Sequence, residues 1–453
     1  MRSFIFVFLI SLIYCQFHSS EWASITSLLT PTGIQITDNG IIYASTSGGL
    51  LKFNSETQQF YFIKMEEGLL YLDLATLSMD SQGRLWMGGS YPQGCLQVYD
   101  PEIGLVKYFE DDLIESINKI QIGEEVAFAV YQGTTSGDIG ILKFDLDADG
   151  IPEYKDFYND FSNETITEIR DLDIVGDLVY ITTEKGVFKG NYMMDILQYA
   201  TSWEQIYSSH NAFQYLPNET GMLITDNLIL TQSSGGWENY CVGITGNIIQ
   251  AARHDERIGV LTQERFYEIV GCEIKSLSIP VGDQSNTSNA WDYDLRTFFT
   301  SFDYSQDGNV FLGVQDNGII SWNAVLETYS TFTPNTSITN AFQAITITKS
   351  GNLAATSHFG TLFYNGTDYK NYIPNNYYKY YSGGSEIFHA LSLDYQPGQH
   401  EPISIIEKDN GHIIYCNSGV LPGWGTVIEL DHTTGIITKY DNTEEIIDGW
   451  DGI

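Results

Sequence analysis

The segment from Asp145 to Asp156, with the sequence DLDADGIPEYKD, has acidic residues at spacings that suit a calcium ion. Acidic residues occupy loop positions 1, 3, 5, 9 and 12, glycine stands at position 6, and position 7 supplies a backbone carbonyl. This is the spacing by which a twelve-residue loop wraps oxygen atoms around one Ca²⁺. The predicted ligands are Asp145, Asp147, Asp149, the carbonyl of Ile151, Glu153 and Asp156.

Two features of this segment depart from the usual calcium loop. Strand-like residues flank it where helices are usual, and Asp156 is shorter than the bidentate glutamate normally found at the last position. The alternative interpretation is an acidic, solvated turn in an acidic protein. If calcium binds, we expect a structural role, and calcium is the one cofactor that the sequence predicts.

The residues that usually carry catalysis form no recognisable pattern in this chain. The histidines are scattered, and the chain has no H-E-x-x-H pair, no G-x-S-x-G elbow and no P-loop. We therefore predict a protein that is not an enzyme and has no catalytic residues. A carbohydrate-active enzyme, a polysaccharide lyase or a glycoside hydrolase, is the alternative.

An aromatic stretch, Tyr372–Tyr381, is the remaining candidate for a binding surface. Exposed tyrosines stack on sugar rings or form a patch for a protein partner. The same stretch also suits a long connection packed on its own protein, and this interpretation is the favoured one.

The elements that position these residues are repeats of one unit. The unit is a polar turn with glycine, an alternating strand, a second glycine turn, another strand and an aromatic close, and clear copies begin at Asp38, Asp80, Asp307, Ser350 and Asn410. The turn glycines Gly40 and Gly83, like Gly308 and Gly351, are 43 residues apart. A period of about 40 to 50 residues with four strands each is typical of propeller blades.

The repeat predicts an all-β fold, a β-propeller of four-stranded blades. A single such sheet cannot bury both faces, so neighbouring blades must stack around an axis. Nine blade-like units are present, which favours about seven blades in a first ring over residues 21–340. Residues 341–453 are predicted to hold further blades of a second propeller that this chain does not complete.

Three copies carry a family resemblance. GRLWMGG (Gly83–Gly89), GNVFLGVQDNGIISW (Gly308–Trp322) and GIIYASTSGGLLKF (Gly40–Phe53) resemble the two-component-regulator propeller repeat, although its usual Trp survives only as Trp86. The resemblance implies either a type IX secretion-associated surface or secreted propeller, as in Bacteroidetes and related phyla, or the periplasmic sensor half of a hybrid histidine kinase. It specifies blade structure and no chemistry.

Charge narrows the range of partners. The chain of 453 residues has a formal net charge of −37, from 21 basic and 58 acidic residues. Such a surface repels phosphate backbones and anionic lipid, so we expect neither nucleic-acid binding nor membrane binding. The expected partners are proteins or glycans.

The N-terminus indicates export. Arg2 precedes the apolar run Phe4–Tyr14, which is too short to span a bilayer and suits the core of a signal peptide over residues 1–15. Acylation of Cys15, which would give a lipoprotein, is less favoured because Tyr14 is too large for that cleavage site. No later stretch is apolar enough for a transmembrane helix, so we predict a secreted or cell-surface protein.

The cysteines that remain after removal of this leader do not form a disulfide framework. They include no C-x-x-C pair, and they are Cys95, Cys241, Cys272 and Cys416. One bridge between Cys241 and Cys272 is compatible with an oxidising compartment, but four buried thiols are the favoured expectation.

The sequence thus favours an exported, non-catalytic binding or scaffold propeller of a larger surface or secreted protein. A periplasmic ligand-sensing propeller of a hybrid two-component histidine kinase is the second hypothesis, and a carbohydrate-active propeller enzyme is the third.

Overall fold

A computed structural model describes residues 23–217, 221–278, 298–357, 360–372, 377–382, 385–390, 401–418 and 426–440. Within these residues the fold is all-β: nine four-stranded antiparallel sheets, one two-stranded sheet, and two short 3₁₀ helices at Met65–Glu67 and Ala200–Ser202. The predicted propeller class, with four strands to each blade, is confirmed. The predicted signal peptide at residues 1–15 lies outside the described residues.

In each of the nine sheets the strands follow chain order, so every blade is a meander. The strands of the first four blades are β1 Pro31–Ile36, β2 Ile41–Thr46, β3 Gly49–Asn54, β4 Gln59–Ile63; β5 Leu74–Met79, β6 Leu85–Gly89, β7 Cys95–Asp100, β8 Gly104–Glu110; β9 Ile114–Ile122, β10 Val126–Gly133, β11 Ile139–Leu146, β12 Pro152–Tyr158; β13 Ile169–Val175, β14 Leu178–Thr183, β15 Gly186–Asn191 and β16 Glu204–Tyr207.

The remaining strands repeat this arrangement, with a separate hairpin between the last two blades. They are β17 Ala212–Leu216, β18 Met222–Thr225, β19 Leu228–Ser233, β20 Gly236–Val242; β21 Ile248–His254, β22 Arg257–Thr262, β23 Arg265–Val270, β24 Glu273–Ser278; β25 Phe299–Tyr304, β26 Val310–Val314, β27 Gly318–Asn323, β28 Thr328–Phe332; β29 Ala344–Ile347, β30 Leu353–Ser357, β31 Gly360–Tyr364, β32 Tyr369–Tyr372; the hairpin β33 Tyr377–Ser382 and β34 Ser385–Ala390; and β35 Glu401–Glu407, β36 Ile413–Ser418, β37 Thr426–Asp431 and β38 Ile436–Tyr440.

The first strands of blades 1 to 7 touch one another in a circle. Each contacts the first strand of the next blade, and β1 contacts β25 of blade 7. The hydrophobic cores lie between blades; one joins Ile42 and Phe53 of blade 1 to Phe311 and Ile319 of blade 7. Blades 1 to 7 therefore form a closed ring, in which the first strands are innermost. Blades 8 and 9 pack on each other through β29 and β35.

Glycine turns join many of the paired strands in the way that the repeat predicts. In blade 2 the amide of Gly83 donates to the carbonyl of Asp80 at 2.9 Å, and the amide of Asp80 donates to the carbonyl of Arg84 at 3.0 Å. Gly83 has φ of +80°, a left-handed conformation that only glycine adopts without cost. The hairpin thus requires glycine at this point of the repeat.

Cysteine pairing differs from the favoured expectation. Cys241 of β20 and Cys272, in the turn between β23 and β24, form a disulfide that links blade 5 to blade 6. Of the described cysteines, Cys95 is buried and free, and Cys416 is partly buried and free. The expectation of four free thiols was wrong because two positions that are 31 residues apart in sequence become neighbours when consecutive blades stack.

Candidate functional site

The predicted calcium loop is the hairpin between β11 and β12 of blade 3. Asp145 lies on β11 opposite Glu153 of β12, and Asp156 lies farther along β12 opposite Lys143. Asp147, Asp149 and Ile151 form the turn between the strands. Consequently the six predicted ligands are spread over a turn and two strands.

This turn has the same hydrogen bonds as the glycine turn of blade 2. The amide of Gly150 donates to the carbonyl of Asp147 at 2.8 Å, and the amide of Asp147 donates to the carbonyl of Ile151 at 3.1 Å. Gly150 has φ of +70°, close to that of Gly83. The glycine that a calcium loop needs at position 6 is therefore also the glycine that the hairpin needs.

Most of the acidic side chains in the hairpin already have partners. The Asp147 Oδ1 atom accepts hydrogen bonds from the amides of Asp149 at 2.9 Å and Ile151 at 2.8 Å, so it caps the turn. Asp145 pairs with Lys143 at 3.3 Å and Lys155 at 3.7 Å. Asp156 accepts from the amide of Phe157 and from the Gln198 side chain.

The side chain of Arg84, on the neighbouring blade 2, binds two backbone carbonyls of this turn. The Arg84 guanidinium donates to the carbonyls of Asp149 at 2.9 Å and Gly150 at 2.7 Å. It also forms a buried ion pair with Asp80 at 2.7 Å, and Asp80 accepts from the Trp86 indole at 3.1 Å. In this conformation the hairpin serves to dock blade 3 on blade 2.

These contacts do not fit a calcium cage. Among the described residues, no group of three or more His, Cys, Asp or Glu side chains is arranged to hold a metal ion. The Arg84 guanidinium binds the backbone carbonyls of Asp149 and Gly150, which are not among the predicted ligand atoms. Calcium binding by Asp145, Asp147, Asp149, Ile151, Glu153 and Asp156 stays a prediction.

A belt of polar contacts joins the innermost strands at all seven junctions of the ring, and nothing in the sequence singled it out. At each junction a side chain of one innermost strand bonds to the backbone of the next, over 2.6 to 3.2 Å. The side chains are Thr32, Ser78, Lys119, Arg170, Gln214, Gln250 and Asp303. Asp303 closes the circle by accepting from the amide of Ile36.

The belt contains a cluster of buried and partly buried charged groups between blades 3 and 4. Lys119 of β9 donates to Asp171 of β13 at 2.6 Å, and Gln121 donates to Asp173 at 3.1 Å. Burial raises the pKa of Asp171, and burial together with the nearby Asp171 raises the pKa of Asp173 to about 7. Burial also raises the pKa of Asp303 to about 6. Perturbed carboxyls are candidates for chemistry, but structural networks perturb pKa values in the same way.

Four histidines whose side chains the structure describes bond or stack within the fold. The ring of His254 stacks on Tyr304 with centroids 5.1 Å apart, and that of His432 stacks on Phe363 at 4.3 Å. A ring nitrogen of His210 lies 2.9 Å from the Glu184 carbonyl. Each of these three contacts is a packing or turn contact.

A fourth histidine belongs to a network on blade 9. A ring nitrogen of His412 lies 2.7 Å from a carboxylate oxygen of Glu429, which also pairs with Lys408 at 3.1 Å. Asp431 lies 3.8 Å from the other ring nitrogen. The network joins the turn between β35 and β36 to β37 of the same sheet.

A polar cleft of about 320 Å³ opens between the β10–β11 turn and the connection from β12 to β13. Its lining includes Asp138, Asn159, Asp160, Asn163 and Glu164. The volume is at the lower end of the range for small-molecule sites, which are usually more apolar. The cleft suits a small polar or cationic group.

The structure describes only part of the predicted aromatic stretch Tyr372–Tyr381. Tyr372 ends β32 and is partly buried, and its hydroxyl donates to the carbonyl of His432 at 2.6 Å. Residues 373–376 lie outside the described residues, and the backbone of residues 377–381 belongs to the β33–β34 hairpin. Its role in binding stays a prediction.

Comparisons with known proteins concern the fold. No model of a protein family matches the sequence, and a search of curated proteins found no match. One similar solved structure is PorZ, an essential bacterial surface component of the type IX secretion system of Porphyromonas gingivalis, with a TM-score of 0.58 and 13% identity over 93% of this chain. Another is the extracellular domain of a protein described as a hybrid two-component system from B. thetaiotaomicron, with a TM-score of 0.45 and 13% identity over 92% of this chain.

The likeness to PorZ agrees with the predicted propeller architecture. This chain covers 60% of the PorZ chain and 52% of the extracellular domain. At such low identity the likeness to PorZ establishes architecture alone. The chain is a β-propeller protein whose fold is similar to that of a bacterial surface propeller.

Proposed function

We propose that this chain is an exported, non-catalytic propeller that binds protein or glycan at the cell surface, as a module of a larger protein associated with type IX secretion. The belt of contacts between innermost strands is the observation that carries this proposal. Because the polar side chains Lys119, Asp171 and Asp303 hold neighbouring blades together, they act in the structure of the ring. A rigid scaffold leaves recognition to its connecting loops.

The proposed division of the chain follows from the contacts between blades. Residues 21–340 form the first propeller, a division supported by the contact between β1 and β25. A second propeller begins within residues 341–453, supported by the packing of β29 on β35.

The proposed extracytoplasmic location rests on two features of the chain. The Cys241–Cys272 disulfide is typical of proteins that fold in an oxidising compartment. The apolar run Phe4–Tyr14 is typical of a signal peptide. The described residues contain no helix that is long and apolar enough to cross a bilayer.

Export is tested by comparing the full chain with a variant that lacks residues 2–15. The full chain should be cleaved by protease added to intact bacterial cells or recovered from the medium, with Cys241 and Cys272 resistant to thiol alkylation. The shortened variant should stay inside with both thiols reactive. If the full chain also stays inside with reactive thiols, the proposed location is wrong.

The class of function is tested with a panel of surface polysaccharides and envelope proteins. We expect the purified protein to bind at least one of them and to leave every polysaccharide uncleaved, as measured by reducing ends and by unsaturated uronates. Cleavage products would contradict the proposal and favour a glycoside hydrolase or polysaccharide lyase. A histidine kinase domain in the coding sequence after Ile453 would contradict it in favour of a sensor.

A further inference from the structure

The connection between β15 and β16 of blade 4 differs from the equivalent connections of other blades. It runs from residue 192 to 203, whereas blades 1 and 7 make the same connection with residues 55–58 and 324–327. The additional residues lie against blade 3. The Gln198 side chain reaches Asp156, and the Phe161 and Trp203 rings meet edge to face at 4.9 Å.

This connection exposes four large apolar side chains close together in sequence. Met194 is 81% exposed, and Met193, Ile196 and Tyr199 are each at least 60% exposed. We call these four residues the Met193–Tyr199 surface. Exposed apolar side chains are common one at a time, but four of them within seven residues of one connection indicate an interaction site.

Hydrogen bonds hold the backbone that carries the Met193–Tyr199 surface. The Asn191 side chain accepts from the amides of Met193 and Met194, both at 3.0 Å. The Ser202 hydroxyl donates to the carbonyl of Ile196 at 2.7 Å. The Trp203 indole donates to the carbonyl of Leu197 at 3.0 Å. Because the connection is already ordered, a partner that docks there loses little affinity to ordering it.

The same surface is bordered by acidic groups. Asp195 lies within it and is exposed, and Asp160 is exposed and accepts from the amide of Ala200 at 3.3 Å. On the side of Tyr192, burial and the carboxylates of Asp177, Glu125 and Glu124 raise the pKa of its phenol. Two cations lie on this side: Lys143 is 5.6 Å from the Tyr192 ring, and Lys189 is paired with Glu204.

We propose that the Met193–Tyr199 surface docks an apolar protein segment flanked by Lys and Arg. This rests on the proposed function of the chain as a binding module and names the kind of partner. Flexible methionine side chains adapt to the shape of an apolar partner, and the acidic border attracts basic residues. The net charge of −37 opposes both anionic lipid and a second copy of this chain as the occupant.

The test uses the full chain and three synthetic peptides: a Lys–Leu peptide with a leucine-rich core flanked by lysines, a Glu–Leu peptide with the same core flanked by glutamates, and a Lys–Ser peptide with a serine core flanked by lysines. The protein should bind the Lys–Leu peptide at least about tenfold more tightly than either of the others, in a titration followed by fluorescence anisotropy. Equal binding of the Lys–Ser peptide would show attraction by charge alone and would overturn the proposal.

Two sets of substitutions locate the binding. Met193→Ser, Met194→Ser and Ile196→Ser together should weaken binding of the Lys–Leu peptide at least about tenfold. Val325→Ser with Leu326→Ser, at the exposed tip of the equivalent turn in blade 7, should leave it unchanged. All substituted side chains are exposed, so both variants should keep the melting temperature of the parent. Unchanged affinity in the triple variant would overturn the proposal.

Other occupants give distinct results. Concentration-dependent dimerisation, or binding to vesicles of phosphatidylcholine or phosphatidylglycerol, that is lost in the triple variant would overturn the proposal in favour of a second copy or of lipid. If the protein instead binds a partner from the polysaccharide and envelope panel equally well in the triple variant and the parent, the proposed function stands and this surface is the wrong one.

Discussion

The same repeat builds the closed ring of blades 1 to 7 and the pair formed by blades 8 and 9. The two regions bury the apolar side chains of their first strands to different extents. On innermost strands of the ring, Ile34 and Leu172 are almost fully buried. On β29, the first strand of blade 8, Ile345 and Ile347 are about 60% exposed. A four-stranded sheet has two apolar faces, and only a neighbour on each side covers both. Circular closure is therefore the step that completes the core.

We expect the largest difference in unfolding free energy between the two regions when a buried tryptophan of the ring is substituted. Trp86→Ala removes a fully buried ring and the indole that donates to Asp80, so the free energy of unfolding of the first propeller should fall by about 3–5 kcal/mol. Ile347→Ala on β29 should change it by less than about 0.5 kcal/mol. Urea denaturation followed by circular dichroism measures both, and equal losses would contradict the comparison.

The docking of blade 3 on blade 2 should give the next largest effect. Arg84→Met breaks a buried ion pair and leaves the Asp80 carboxylate without its cation, which should cost about 3 kcal/mol. Arg253→Met, at an exposed arginine of blade 6, is the matched control and should change the free energy of unfolding by less than about 0.5 kcal/mol. If both variants unfold at the same urea concentration, the contacts from Arg84 to Asp149 and Gly150 do not stabilise the ring.

The belt predicts a smaller, pH-dependent effect that is confined to the ring. The pKa of Asp173 is raised from 3.8 to about 7 in the folded protein, mainly by burial and then by Asp171, while Lys119 opposes the shift. The folded state therefore binds the proton more tightly than the unfolded state. This contribution to stability is fully present below a pH of about 3.8 and is lost as the pH rises through about 7.

Asp173→Asn should remove this dependence. We expect the variant to unfold with a pH profile flatter by about 1–2 kcal/mol across that interval, after allowance for partial solvent screening. Asp38→Asn, at an exposed turn of blade 1, should keep the profile of the parent. Identical profiles for all three proteins would show that Asp173 does not titrate in this range.

The smallest expected effect is that of added calcium on stability, through the turn between β11 and β12 of blade 3. Because Asp147 already accepts two backbone hydrogen bonds, we expect millimolar Ca²⁺ to raise the free energy of unfolding by less than about 1 kcal/mol. A larger gain that disappears in the variant Asp147→Asn with Asp149→Asn would confirm the predicted calcium loop. The same small gain in the parent and the variant would contradict it.

Much of the fold is predictable from the repeat, and much less of the candidate site. The turn of Asp80 to Arg84 and the strand Val310–Val314, buried along its whole length, both follow from local pattern. The acidic hairpin shows where local pattern is ambiguous. Aspartates before a glycine suit a calcium loop and a capped hairpin equally well, and the guanidinium that binds the carbonyls of this turn comes from another blade, at Arg84.

The sequence by itself determined the four-stranded unit, its turns and its acidic surface, because hydrogen bonds and alternation within one blade depend on residues close together in the chain. Only the tertiary structure decided the Cys241–Cys272 bridge, the closing contact from Asp303 to Ile36, and the exposure of Met193 and Met194. Each of these depends on which blades become neighbours or on how a long connection lies against the next blade, and those contacts join residues far apart in sequence.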